Sequence, residues 1–214
     1  MCVQSFKRSG KFNAKWYYLW IVNTMFMKKW KTNLLLIGLL SLVMSSCLTT
    51  EKKEYVFKFT GQNAGTLTIK YINLMSTSDD TTDMSKQDFT ELIDKYINGD
   101  NIKSQYPTAT NIRKQLYEVN GQLYAELSMD FSDLESAKLY QSDANSPLML
   151  CLTTEKETER YIESNGKYGG ANMPVVFWNK DLKELHLTTG ITKPDESTKS
   201  LVGRYRELKK TASH

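Results

Sequence analysis

Along the 214-residue chain, apolar and polar positions alternate most clearly where Tyr55, Phe57 and Phe59 interleave with Val56, Lys58 and Thr60. After Gly61-Gln62-Asn63-Ala64-Gly65 the same two-residue period resumes in Leu67, Ile69 and Tyr71, which predicts a β-hairpin with an aromatic and aliphatic core face. The period then changes. Phe89, Leu92, Ile93, Tyr96 and Ile97 recur at helical spacing ahead of Gly99, with Ser85 and Asp88 as an N-cap signature. One amphipathic helix over 86–98, laid on a sheet, is the expectation.

Residues 112–119 and 122–131 flank Asn120-Gly121, a pair suited to the two left-handed positions of a type I′ turn. That loop fixes the register: Tyr117 meets Tyr124, Leu116 meets Ala125, and Ile112 meets Met129. Ile112, Leu116, Leu123, Ala125, Leu127 and Met129 share the face expected to be buried, and the Tyr117/Tyr124 pair falls on the more polar one. Further on, 133–140 reads as a short helix, 148–152 as a buried strand and 160–164 as another. Residues 175–178 and 183–188 read as a hairpin around Asn179-Lys180-Asp181. The fold class is therefore α+β, a mainly antiparallel β-sheet of about seven strands with one firm amphipathic helix packed on it, over 55–190. Residues 191–214, with Leu201, Val202, Tyr205 and Leu208, form a polar, basic tail or a short helix.

Charge divides the chain. Seven of its 28 Lys and Arg precede Cys47 and none of its 24 acidic residues does, which leaves 21 against 24 and about −3 beyond that point. A weakly acidic domain offers no clustered cations for nucleic acid, so no nucleic-acid partner is expected. Three of those seven, Lys28, Lys29 and Lys31, belong to a signal peptide over 27–46. From Met27 the sequence reads MKKWKTNLLLIGLLSLVMSSC, with Lys28, Lys29 and Lys31, an apolar run over 34–44, and small residues before the cysteine. Eleven residues are too few for a helix that crosses a bilayer.

Met44-Ser45-Ser46-Cys47 resembles the lipobox of bacterial lipoproteins, with Met where Leu is usual. The resemblance implies cleavage between Ser46 and Cys47 and acylation of Cys47 with lipid such as palmitate, which fixes the chain to membrane lipid. Residues 1–26, with a second apolar stretch over 16–26, read as a non-native upstream extension or an early-called start. Residues 47–54 are the lipidated cysteine and a polar tether. Leu48 rather than Asp follows Cys47, which favours the outer over the inner membrane.

Little else carries chemistry. His186 and His214 are the only histidines, so neither a metal site nor a cofactor is expected, and no enzyme motif is present. Cys151 lies in the apolar run 148–152 and is expected to be buried and inert. Asp79, Asp80 and Asp83 have part of a calcium loop's acidic spacing without its Gly and terminal Glu. The glycine-rich 165–170 reads as a flexible connection.

With its charged residues after Cys47, its Gly65-Thr66-Leu67-Thr68-Ile69 strand and its Asn120-Gly121 hairpin, the chain resembles small uncharacterised bacterial lipoproteins, a likeness that implies an α+β body and transfers no activity. Two functions fit. The first is a non-catalytic module of the cell envelope that binds a protein partner or serves as an accessory subunit. The alternative is a carrier of lipid or another hydrophobic ligand in a cavity lined by Phe57, Phe59, Tyr71, Leu92 and Tyr96.

Overall fold

Strand β1, Leu48–Phe59, pairs antiparallel with β2, Gly65–Thr77, in one register from Leu48 opposite Ser76 to Phe59 opposite Gly65. The computed structural model describes residues 47–78, 83–153 and 159–212; the expected signal peptide and Ser46 lie outside them. The segment expected to be a free tether is instead the first half of β1. Backbone hydrogen bonds to the longer β2 hold it, and these make no demand for apolar side chains on the solvent side. Even Cys47 is engaged, its carbonyl accepting the Thr77 N–H at 2.8 Å.

In place of one α-helix over 86–98 the chain forms a seven-residue α1, Ser85–Glu91, followed by a π-helical stretch, Leu92–Ile97. The Asn98 N–H donates to Ile93 O, five residues back, at 2.8 Å. The extra residue in the turn rotates the side chains beyond it about the helix axis. Ser85 is not the N-cap: its own N–H donates to Asp83 Oδ1 at 3.0 Å, and Asp88 is buried, accepting from Ser76 Oγ. A short α2, Asn101–Gln105, comes next.

Strands β3, Thr110–Val119, and β4, Gln122–Phe131, turn through Asn120 (φ 51°) and Gly121 (φ 78°). Tyr117 sits opposite Tyr124 and Leu116 opposite Ala125, as the turn dictates. The far end departs from the expected Ile112 and Met129 pairing, because Asn111 is left-handed (φ 51°) and the register slips between Thr110 and Arg113.

The chain then makes a 3-10 turn, Glu135–Ala137, and five more short or medium strands: β5, Leu148–Cys151; β6, Arg160–Ser164; β7, Lys167–Tyr168; β8, Val175–Trp178; and β9, Glu184–Gly190. Strand β10, Thr198–Ser200, and helix α3, Val202–Ala212, complete the described residues. The large antiparallel sheet has the order β3-β4-β2-β1-β9-β6, with β10 on the end of β2, and a small sheet has the order β5-β8-β7. The class is α+β with a mainly antiparallel sheet.

Three expectations change here. The hairpin across Asn179-Lys180-Asp181 does not form, since β8 lies in the small sheet and β9 in the large one. Asn179 accepts from Asp181 N at 3.0 Å through its side chain and from Leu182 N at 3.1 Å through its carbonyl, deflecting the chain. Both strands carry fully buried residues, Val176 and Trp178 against Leu185 and Leu187, which pack in one cluster instead of pairing edge to edge. The glycine-rich 165–170 is ordered and contains β7, while Asn165 Oδ1 takes hydrogen bonds from Trp178 Nε1 at 2.9 Å and His186 N at 2.8 Å, tying the two sheets. Of the two forms expected for 191–214, the short helix forms as α3 and the tail does not: Leu201 and Tyr205 are buried, and Tyr205 OH donates to Leu116 O at 2.9 Å.

Successive inward residues of β4 divide the core. Leu127 and Met129 join a larger cluster with Phe57, Leu67, Ile69 and Trp178. Leu123 and Ala125 join a smaller one with Phe89, Leu92, Leu201 and Tyr205. Alternate strand residues share a face, so one face of the large sheet is covered by the small sheet at one end and by helices at the other.

Candidate ligand cavity

Tyr71 and Tyr96 touch both clusters, and at that junction the packing opens into a cavity of about 230 Å³. Its shape begins with Asn73. That residue is left-handed (φ 57°), its amide donating to Glu51 Oε2 at 2.9 Å. Leu67 and Ile69 are buried at odd positions of β2, but beyond Asn73 both Leu74 and Met75 are buried. On the paired β1 the matching change brings Thr50 and Leu48 to the cavity, on the same side as Lys53 opposite Tyr71.

The helical wall supplies Leu92, Tyr96 and Ile97 from the π-helical stretch and Ile102 and Gln105 from α2; β4 supplies Ala125 and Leu127. Gly99 closes the π-helical stretch tightly: a Cβ there would lie 2.5 Å from Asp94 O and 2.8 Å from Lys95 O. Lys114 of β3 also lines the cavity, and its Nζ donates to Gly99 O at 2.8 Å. Glu126 borders the cavity too, but its side chain is engaged by Gln115 Nε2 at 3.2 Å and Tyr117 OH at 3.3 Å, on the outward-facing register of β3 and β4.

Beside the cavity lies a buried polar network. Glu159 accepts from Lys53 Nζ at 3.0 Å and Tyr55 OH at 2.7 Å through one oxygen, and from Thr189 Oγ1 at 2.6 Å through the other. Burial first, and then the Glu159 charge, push the Tyr55 phenol well above its ordinary pKa. Lys53 Nζ also stands 5.7 Å from the centroid of the Tyr71 ring.

Of the five residues expected to line a ligand cavity, Tyr71, Leu92 and Tyr96 come together there. Phe57 and Phe59 do not. Phe57 is fully buried with its centroid 6.4 Å from that of Trp178, and Phe59 packs edge-on against Phe131 at 5.6 Å. Sequence reasoning missed Lys53, Ile102 and Lys114. For Lys114 a signal existed, because it takes the inward position between Ile112 and Leu116, where a cation breaks an apolar alternation.

Elsewhere, Cys151 is exposed at the end of β5, an edge strand, with Sγ 3.1 Å from Thr153 O; the apolar run did not bury it. His186 is exposed too, with Nε2 2.7 Å from Glu184 Oε1. Tyr117 and Tyr124 stack at 5.6 Å. Asp79 and Asp80 lie outside the described residues, whereas Asp83 pairs with Lys199 Nζ at 3.2 Å. Among the described residues no three His, Cys, Asp or Glu side chains gather to hold a metal ion, and no helix is long and apolar enough to cross a membrane. No protein-family model, no curated protein and no solved structure matches the chain.

Proposed function

We propose that this protein is a lipid-anchored lipoprotein of the bacterial envelope, a non-catalytic module that binds a small amphiphilic molecule in the cavity between its sheet and helices. The supporting observation is where the cavity lies: Leu48 and Thr49 line it, directly after Cys47, the residue proposed to carry the acyl chains. A strand rises about 3.3 Å per residue, so the cavity wall begins within one or two residues of the anchor. With 48–54 paired in the sheet, no slack separates domain and membrane. A ligand moving between bilayer and cavity then crosses little water. Leu48 in place of Asp after Cys47 supports the outer membrane as the location.

The cavity favours the ligand-carrying reading over docking of a protein partner. The large exposed hydrophobics among the described residues, Val119, Tyr140, Met173, Leu182 and Leu208, stand on five separate segments. Such single exposures are ordinary on a protein surface.

Two measurements test the proposal. Labelling with radioactive palmitate is expected in the wild type and lost in Cys47→Ala; equal labelling of both overturns the anchor. Solvent extraction of the purified anchored protein, followed by mass spectrometry, is expected to release a small amphiphile that is depleted in Ala125→Phe, which fills the cavity. An equal yield from a properly folded Ala125→Phe protein overturns the cavity as the binding site.

A further inference from the structure

We infer that the cavity selects an amphiphile bearing a single carboxylate on a short apolar tail, with the carboxylate held by Lys114; this rests on the binding role proposed above. Lys114 sits opposite Leu127, which is 3% exposed, in the inward register of β3; it is half-buried and lines the cavity, with its ammonium at Gly99 O. An ammonium has three N–H donors. One is spent on the neutral carbonyl of Gly99, and among the described residues no carboxylate lies within ion-pairing distance of it.

The other cation of the cavity is already balanced. Lys53 is held 3.0 Å from Glu159 Oε1. Glu126, the one acidic residue among the described residues that line the cavity, directs its carboxylate to Gln115 and Tyr117 instead of Lys114. Among the described residues the site therefore carries one positive charge without a counter-ion, beside apolar surface from Leu74, Leu92, Ile97 and Leu127. A partly desolvated cation gains most from an anion that brings its own partner charge. A volume of about 230 Å³ falls below the roughly 300–1,000 Å³ of drug-sized sites, which limits the tail to a short alkyl chain or the end of a longer one.

The test uses the full chain in phosphatidylcholine nanodiscs, titrated calorimetrically with octanoate, 1-octanol and octylamine against empty nanodiscs. Octanoate is expected to bind most tightly, octanol roughly tenfold more weakly, and octylamine not measurably. Lys114→Met is expected to weaken octanoate roughly tenfold while leaving octanol unchanged, and Lys114→Arg to retain octanoate. If none of the three compounds binds the wild type, the ligand-binding role itself falls, and this inference with it. Equal affinity for octanoate and octanol leaves that role standing and overturns the carboxylate preference. Unchanged octanoate affinity in Lys114→Met overturns Lys114 as its holder. Should Lys114→Met also lose octanol, its fold is at fault, and the decision passes to the wild-type series and to Lys114→Arg, whose loss of octanoate with octanol retained would count against the inference.

Discussion

Lys53 Nζ stands 3.0 Å from Glu159 Oε1, with the two side chains only 10% and 12% exposed. Taking such a pair out of water is costly, and its worth lies in each charge having the other. Removing Glu159 takes an acceptor from Lys53 Nζ, Tyr55 OH and Thr189 Oγ1 at once, so Glu159→Ala is expected to destabilise the fold by about 3–5 kcal/mol in urea unfolding followed by circular dichroism. Exchanging both for apolar residues, Lys53→Met with Glu159→Leu, is expected to recover most of that loss. A Glu159→Ala variant as stable as the wild type would show that Lys53 is satisfied without this carboxylate.

Tyr55 donates to the same carboxylate, and its phenol is raised well above the ordinary value by burial and then by the Glu159 charge. Below about pH 10 both folded and unfolded chains keep this proton. As pH climbs from there towards the folded pKa, only the unfolded chain releases it, and the stability contributed by the neutral phenol is progressively lost. Unfolding midpoints are therefore expected to fall above about pH 10 in the wild type, with a smaller fall in Tyr55→Phe. Identical alkaline profiles would remove Tyr55 as the cause.

Asp83 joins two elements. Its carboxylate accepts from Ser85 N at the start of α1 and pairs with Lys199 of β10 at 3.2 Å, and these bonds, those from Ser85 foremost, lower its pKa to about 2. A carboxylate depressed in the folded state adds stability above its unfolded value, and that stability disappears as pH falls through about 2. Acid unfolding of Asp83→Asn is expected to show a shallower dependence between pH 4 and pH 2 than the wild type. Superimposable curves would mean that the side chain is not held in solution.

Local rules carried much of this fold and stopped where the chain changes partners. The Asn120-Gly121 turn fixed the register of Tyr117 on Tyr124 because two residues in left-handed conformations leave one alignment. The spacing of Phe89, Leu92 and Tyr96 located a helix but not its π-helical half, since a π turn costs one residue of phase that only packing rewards. The separation of β8 from β9 was illegible, because a short polar loop between two strands looks the same whether they pair or cross to different sheets. The cavity was partly visible in Tyr71, Leu92 and Tyr96. Phe57 shares the face and period of Tyr71, and only the arrival of Trp178 from the second sheet turns its place into filled core.

Gly166 tests how tightly that second sheet is seated. A Cβ there would lie 2.6 Å from Phe177 O and 2.7 Å from Trp178 Cδ1, a backbone atom and a rigid ring that cannot swing away. Gly166→Ala is expected to destabilise by about 1–3 kcal/mol through overpacking and to weaken the near-ultraviolet dichroism of Trp178. A stability change near zero would show that the small sheet shifts freely over the large one.

Cys151 and Cys47 together offer a count that separates exposure from acylation. Cys151 is exposed at the end of an edge strand, so a maleimide is expected to modify it in the folded, membrane-extracted protein within a few-fold of its rate in urea. If Cys47 carries a thioether-linked lipid, unfolding uncovers no further thiol, and mass spectrometry finds one label per mature chain. A second label that appears only in urea would show Cys47 unmodified and remove the anchor. A first label that appears only in urea would show Cys151 shielded, and would count against the edge position of β5.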